Sequence, residues 1–334
     1  MKTFLIWFKN ARYAAIPQSL LPALVALCFA SQTPGFSLIL GVVSVIGVVF
    51  AHLGSNLLDD YFDAKMNDSS YKDRLASKGI RARIAKCSYL TDGSATIKQL
   101  FIAATLFCLT ALALGTIILI FRFDQWNQFL WIVLTTIIIG VFYSGWPIRL
   151  SYHGLGEFSI AVLFGPLLMQ GVFLSASGTI SIPLFFISIP IGILVGNIVY
   201  THAILDYEPD KMIHKKTFAV VLNHKKLNSF FSFLFNFSPY IIVLLGVIFN
   251  ILHPIYLLTL IPLPLSFWLF KSILSFQKNP NLDPIKKWFH VPMEQWKEVN
   301  AAGIGWFMLR WYTARNIIIL FCLISAFIGL FFNI

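Results

Sequence analysis

Charge is what this 334-residue sequence has least of: Asp, Glu, Lys and Arg make up 12% of it, while 58% is hydrophobic and the mean hydropathy is +0.78. So few charges cannot cover a water-soluble surface of this size, and the composition is that of an integral membrane protein. Cysteine is scarce as well. Cys28, Cys87, Cys108 and Cys322 are too few to staple such a length and show no CxxC or other ligand spacing, which excludes a disulfide scaffold and a thiolate metal site. Gly (20) and Pro (15) are too few for a collagenous or low-complexity chain.

What is abundant is long apolar sequence. Runs near membrane-spanning length recur at 14–31, 36–58, 97–120, 128–146, 155–175, 181–204, 228–250, 254–271 and 315–332, which predicts nine helices. Several are interrupted by proline (Pro17, Pro166, Pro190, Pro262, Pro264), tolerable only where neighbouring helices satisfy the freed backbone groups, so a packed bundle is expected. The first run follows Lys9 and Arg12 without a small-residue cleavage site and reads as a retained helix rather than a signal peptide. The expectation is a single all-α polytopic domain over 1–334.

The formal charge of +11 would suggest nucleic acid in a soluble protein; here it reports orientation, and no nucleic-acid partner is expected. With nine alternating spans, every one of the 25 Lys and Arg except Arg122 falls on one side. By the positive-inside rule that side is cytoplasmic, which puts the N-terminus in the cytoplasm and the C-terminus across a bacterial inner membrane. The 14 Asp and Glu, all but Asp124, crowd the same side although acids contribute little to orientation, so they need another explanation.

They fall mainly in two clusters. Where the second span ends, Asn56, Asp60 and Asp63 stand at i, i+4 and i+7, with Asp59 four before Asp63, so one helical face carries an amide and several carboxylates. Where the sixth span ends, His202, Asp206 and Asp210 follow at i, i+4 and i+8, with a break near Asp206 predicted by Pro209. Each cluster alone also fits a solvated helix end. Two such sets facing one compartment suit Mg²⁺, a hard cation that takes carboxylate and phosphate oxygens, and Lys215-Lys216-Thr217 adds donors for a phosphate. A diphosphate held at the mouth of an apolar bundle points its organic tail into lipid-like surroundings, which makes a polyprenyl diphosphate the natural ligand. The metal would neutralise charge growing on the departing diphosphate, and aromatic faces could steady the allylic cation left behind.

These paired motifs resemble those of the UbiA superfamily of intramembrane prenyltransferases, over roughly residues 5–270. Within it, the segment from Tyr143 through Pro147, Arg149, Tyr152 and Gly154 to Glu157, then Phe164-Gly165-Pro166, looks most like the 1,4-dihydroxy-2-naphthoate polyprenyltransferases of menaquinone synthesis, as does Lys215-Lys216-Thr217-Phe-Ala-Val. The resemblance implies a nine-helix bundle with a central cavity opening toward the cytoplasmic face. It also implies Mg²⁺ bridging a polyprenyl diphosphate to Asp59, Asp60, Asp63, Asp206 and Asp210, and prenyl transfer to an aromatic ring carbon with loss of the ring carboxylate. The long 59–96 connection would cap the site, with 206–227 as the second cytoplasmic connection. The sequence departs from the family where Asp59-Asp60 replaces Asn-Asp, where His202-Ala-Ile-Leu205 replaces Asn-Asn-x-Arg, and where His214 replaces Gly. Lys211, Lys215, Lys216 and a cation from the Arg81/Arg83/Lys86 run are the candidates for the missing arginine's grip on the diphosphate.

Glu157, an acid just inside the fifth span, is a candidate to orient the acceptor or take its ring proton, though a carboxylate at a helix N-terminus is also favoured by the dipole. Asn197 is a candidate acceptor ligand or a helix-to-helix hydrogen bond. Tyr143 and Tyr152 line the pocket or pack the core. Residues 272–314, mixing Trp288, Trp296, Trp306 and Trp311 with scattered lysines, read as an interfacial amphipathic stretch. Two other functions compete: the same chemistry on another acceptor, such as 4-hydroxybenzoate or a glycerol-phosphate lipid, and an ion- or proton-coupled secondary transporter. The latter would place acids near the middle of the spans, and these are nearly free of charge.

Overall fold

The computed structural model describes residues 2–66, 87–290 and 292–332. Among the described residues nine helices are long and apolar enough to cross a membrane: Tyr13–Ala30, Leu38–Lys65, Ile97–Phe121, Phe123–Phe142, Gly156–Ser177, Ile182–Leu205, Lys225–Ile248, Pro254–Lys278 and Gly305–Phe331. The expected number is present, and most boundaries fall within a few residues of those read from hydropathy.

Two boundaries differ in ways that matter. The second helix runs unbroken from Leu38 to Met66, so Asp59, Asp60 and Asp63 ride on its last turns rather than on a connection. The eighth span continues to Lys278 and the ninth begins at Gly305, well before its expected start at 315. Residues 272–278 and 305–314, expected along the interface, therefore belong to bundle helices, and the stretch between these spans is 279–304. The correction has a physical cause. Arg310 and Arg315, each 1% exposed, look like span-ending charges in sequence but find hydrogen-bond partners inside the fold. Arg310 donates from Nε to Ser272 Oγ at 3.0 Å and from Nη1 to the Trp306 carbonyl at 2.7 Å. Arg315 donates from Nη1 to Glu294 at 3.3 Å. A guanidinium with partners escapes most of the cost that bars a bare one from a bundle.

Helices adjacent in sequence pack against each other around the bundle, except that the fourth leans mainly on the fifth and second. The first and fifth also meet across the middle, and the ninth returns to lie between the first and the sixth. The main core draws on the first helix and on the fifth through the ninth. The fifth and sixth cross with backbones nearly touching: a Cβ on Gly165 would lie 2.5 Å from the Ser188 carbonyl and 2.8 Å from Gly192 Cα. Pro166, which cannot donate to the helix ladder, is absorbed in a wider π-type turn over Leu163–Leu167.

Arg122 shows that the connections alternate ends. It donates to the carbonyls of Gly35, Ser175 and Ala176, drawing the connections after the first, third and fifth helices to the end opposite the acidic clusters.

Candidate active site

The second helix presents its acids on one face because residues three and four apart share a side of an α-helix. Asp60 is 1% exposed; it accepts from Tyr89 Oη at 2.9 Å and pairs with Arg12 Nη2 at 3.3 Å. Asp59 accepts from the same Arg12 nitrogen at 3.1 Å and from Ser144 Oγ at 2.5 Å. Asp63 accepts from Tyr152 Oη at 2.8 Å and stands 3.5 Å from Lys215 Nζ. Asn56 donates from Nδ2 to the Ala11 carbonyl at 3.0 Å, and its own carbonyl accepts from Arg12 at 2.8 Å, which fastens the start of the first span to this face. Arg12 adopts a left-handed backbone, φ 62°, at that junction. A non-glycine residue holds such a conformation only where its surroundings over-determine it. Here the guanidinium bridges a carbonyl and two carboxylates.

On the other side the sixth helix ends at Leu205, and a short helix, Tyr207–Met212, follows with Asp206 between them. The break expected from Pro209 is therefore a single residue, and the Asp210 amide still donates to the Asp206 carbonyl at 2.8 Å. His202 Nε2 lies 3.0 Å from Asp206 Oδ2. Asp206 is 1% exposed and Asp210 is buried.

Both carboxylate sets line one cavity of about 1320 Å³. Asn56, Asp59, Asp60, Asp63, Tyr143, Glu157, His202, Asp206, Asp210 and Lys215 all border it, as do Arg12 and Tyr89. Its walls run on through Gly115, Phe129, Phe164 and Leu167, so a polar end opens into a long apolar interior. Lys215 ties the two sets together. Its amide donates to the Asp210 carbonyl at 2.9 Å, its ammonium faces Asp63, and it lies 5.2 Å above the Tyr152 ring. Burial by itself would lower the Lys215 pKa, but Asp63 and Asp210 outweigh it and hold the ammonium well above the ordinary lysine range. Arg12 is raised in the same way against its burial, by Asp60 and Asp59. Burial together with the neighbouring Asp60 carboxylate lifts the Tyr89 phenol above its ordinary range, keeping it a donor.

Other expected site residues lie elsewhere. Lys211 is exposed and reaches Asn223 Oδ1 at 3.3 Å, and Lys216 is exposed with only its backbone bridging to His153. Neither borders the cavity. Asn197 is 1% exposed and donates to Asn236 Oδ1 at 3.1 Å, a bond between the sixth and seventh helices on the face turned away from the cavity. Tyr152 touches the site through Asp63 and Lys215 rather than through the cavity wall. Glu157 accepts from the Phe218 amide at 3.3 Å and so pins the turn that carries Lys215. Arg83 and the rest of the Arg81/Lys86 run lie outside the described residues.

Sequence reasoning missed Arg12, Tyr89, Ser144 and His52, all of them on the cavity. The signal for Arg12 was a cation immediately before the first span, which reads as topology alone. His52 was legible as the residue one turn before Asn56.

Among the described residues no three or more His, Cys, Asp or Glu side chains converge on one point as a metal's ligand set. The first-motif carboxylates are held instead by Arg12, Lys215, tyrosine and serine. The donors are nonetheless of the kind a hard divalent cation takes, carboxylate oxygens from two helix ends on one cavity.

Residues 19–293 match the UbiA prenyltransferase family. The chain is 26% identical over 223 residues to a 1,4-dihydroxy-2-naphthoate octaprenyltransferase of Bacillus subtilis, covering 66% of this chain and 67% of that one. It is 30% identical over 201 residues to a 2-carboxy-1,4-naphthoquinone phytyltransferase of Synechocystis, covering 60% and 65%. Thus the similarity spans about two thirds of these relatives' length. The fold is that of a UbiA homolog from Archaeoglobus fulgidus solved bound to GPP and Mg²⁺, with a TM-score of 0.58 at 18% identity, covering 93% of this chain and 99% of that one. Nine apolar helices, paired acidic motifs on one cavity and a family match over most of its length agree: the chain belongs to the UbiA prenyltransferase family and is a membrane-embedded transferase.

Proposed function

We propose that this protein transfers a polyprenyl group from its diphosphate to 1,4-dihydroxy-2-naphthoate with loss of the ring carboxylate, the step that yields a demethylated menaquinone. The observation that carries this reading is the cavity whose polar end holds Asp59, Asp60, Asp63, Asp206, Asp210, Arg12 and Lys215 and whose remaining wall is largely apolar. A diphosphate needs the first and a polyprenyl tail the second. The naphthoate acceptor is favoured by the two curated relatives, both of which act on naphthalene-ring substrates by name.

Asp60, Asp63, Asp206 and Asp210, with Asp59, would hold Mg²⁺, which supplies charge neutralisation for the departing diphosphate. Arg12 and Lys215 sit where a diphosphate replaces their present carboxylate partners, and both stay cationic. Arg12 thus takes the part left open by the second motif's missing arginine. Asn56, Tyr143 and His202 border the same end, and Glu157 fixes Lys215 through the Phe218 amide. The aromatic rings along the apolar wall, Phe129 and Phe164 among them, offer faces to a developing allylic cation. By the positive-inside rule the acidic end faces the cytoplasm.

Membranes carrying the protein, incubated with Mg²⁺, a labelled prenyl diphosphate and a panel of aromatic acceptors, test this. Prenylated naphthoquinol with release of CO₂ is expected. Product with 4-hydroxybenzoate alone would move the acceptor, and no Mg²⁺-dependent product with any acceptor would remove the reading.

A further inference from the structure

His52 is a buried histidine in the middle of the second span that no step above uses. It is 8% exposed and borders the cavity. It stands four residues before Asn56 and eight before Asp60 on the same helix, so it lies about 12 Å deeper than the carboxylates on their own face. The first prenyl carbon is one bond from the diphosphate, so with the diphosphate held at the acidic end the ring that attacks it comes between the acids and His52, and its hydroxyl can reach inward to the imidazole.

Ser19 engages one of the two ring nitrogens of His52 and leaves the other for a substrate. Ser19, fully buried on the first span, lies with Oγ 2.7 Å from His52 Nδ1. A serine hydroxyl has one proton, and Ser19 Oγ, which also reaches the Ile16 carbonyl at 3.1 Å, can give it there and accept from Nδ1. With the proton on Nδ1 the lone pair is on Nε2, and this is the tautomer that a role in accepting a proton requires. The ring stands edge-on to Phe164, another cavity residue, at 4.9 Å and 81°, and this contact together with the Ser19 bond holds its orientation. Glu157, the acid expected to take a proton, has an oxygen engaged by the Phe218 amide.

We infer that His52, oriented by Ser19, is the group that binds the acceptor's ring hydroxyl and takes its proton through Nε2. This rests on the proposed aromatic acceptor. The hydroxyl proton passes to Nε2 while the ring carbon's electron pair closes on the first carbon of the prenyl group. The carbon–oxygen pair leaves with the diphosphate. The substituted ring carbon then sheds its carboxylate as CO₂, its bonding electrons return to the ring, and the imidazolium gives the proton back to the phenolate oxygen. Charge is conserved and no further reactant is needed.

The test compares wild type, His52→Ala, His52→Gln and Ser19→Ala in membranes, measuring prenylation of the dihydroxynaphthoate and KM for each substrate, with and without added imidazole. His52→Ala and His52→Gln are expected to lose about 100-fold or more in kcat, the usual worth of a positioned acid–base group. KM for the prenyl diphosphate should stay within twofold, and imidazole should restore part of the His52→Ala rate but none of the His52→Gln rate. Ser19→Ala, which frees the tautomer but keeps the ring, is expected to lose less. Near-normal kcat in both His52 variants, or a loss that imidazole leaves untouched while KM for the prenyl diphosphate rises, would overturn the assignment. Inactive wild type would overturn the proposed acceptor instead, a result separable from either.

Discussion

Lys215, which follows the second acidic motif, stands 3.5 Å from Asp63 of the first, joining through one ion pair two halves of the chain that are about 150 residues apart. Its amide is bonded to Asp210, so the same residue carries both contacts. An ammonium in that place neutralises carboxylates that would otherwise repel across the mouth of a low-dielectric bundle.

Removing that charge should affect binding and stability together. Lys215→Met is expected to raise KM for the prenyl diphosphate about tenfold or more, and to lower the melting temperature of the detergent-solubilised protein by several degrees. The pH dependence has a definite sign. Because the folded Lys215 pKa is raised, its stabilisation is complete below the unfolded lysine value of about 10.4 and is lost only as pH climbs toward the folded one. The gap in melting temperature between wild type and Lys215→Met should therefore stay constant from neutral pH to about 9 and narrow above about 10.4.

Asp60→Asn and Asp206→Asn should each reduce prenyl transfer by at least about 100-fold at saturating Mg²⁺ while size-exclusion profile and helix content stay those of wild type. Neither carboxylate packs the apolar core, so its loss is felt in the site. Near-normal turnover of either variant would remove these residues from the metal-binding role proposed for them.

Gly192→Ala tests the scaffold rather than the chemistry. A methyl group there would overlap the Ala161 carbonyl and come 3.1 Å from Gly165 Cα, where the fifth and sixth helices cross. Overpacking of this kind costs about 1–3 kcal/mol, and backbone on both sides leaves nothing flexible to yield. The expected readout is a lower thermal midpoint with parallel loss of activity, since Glu157 and Asp206 ride on the crossing pair. By contrast, a Cβ on Gly115 meets no atom within 4 Å, and Gly115→Ala should leave the thermal midpoint at that of wild type.

Arg315→Met should loosen the 279–304 stretch without unfolding the bundle. Its guanidinium holds Glu294 and the Pro292 carbonyl from inside the ninth helix. Limited proteolysis of the variant is expected to cut within 279–304 several times faster than in wild type, and equal rates would show that Asn316, bonded to the carbonyls of His290 and Pro292, suffices.

How far the sequence could be read depended on the range of each interaction. The span number and the two acidic faces were legible because hydropathy and i, i+4 spacing are local properties of a helix. Arg12 was not, since its meaning lies in contacts with Asn56 and Asp59, residues distant in sequence, and a cation at the edge of a span carries the topology signal regardless. Arg310 and Arg315 misled for the opposite reason: unpaired they would end a span, and their partners Ser272 and Glu294 come from elsewhere in the chain. Asn197 faces Asn236 because helix rotation, which hydropathy does not set, turns it from the cavity.

The ninth helix lodges between the first and the sixth and lends Trp311 to the cavity wall. Translation delivers that helix after every acid of both motifs has already been inserted. Until it arrives the first and sixth helices lack the neighbour that lies between them, so the stretch of wall that includes Trp311 is completed only when this helix docks.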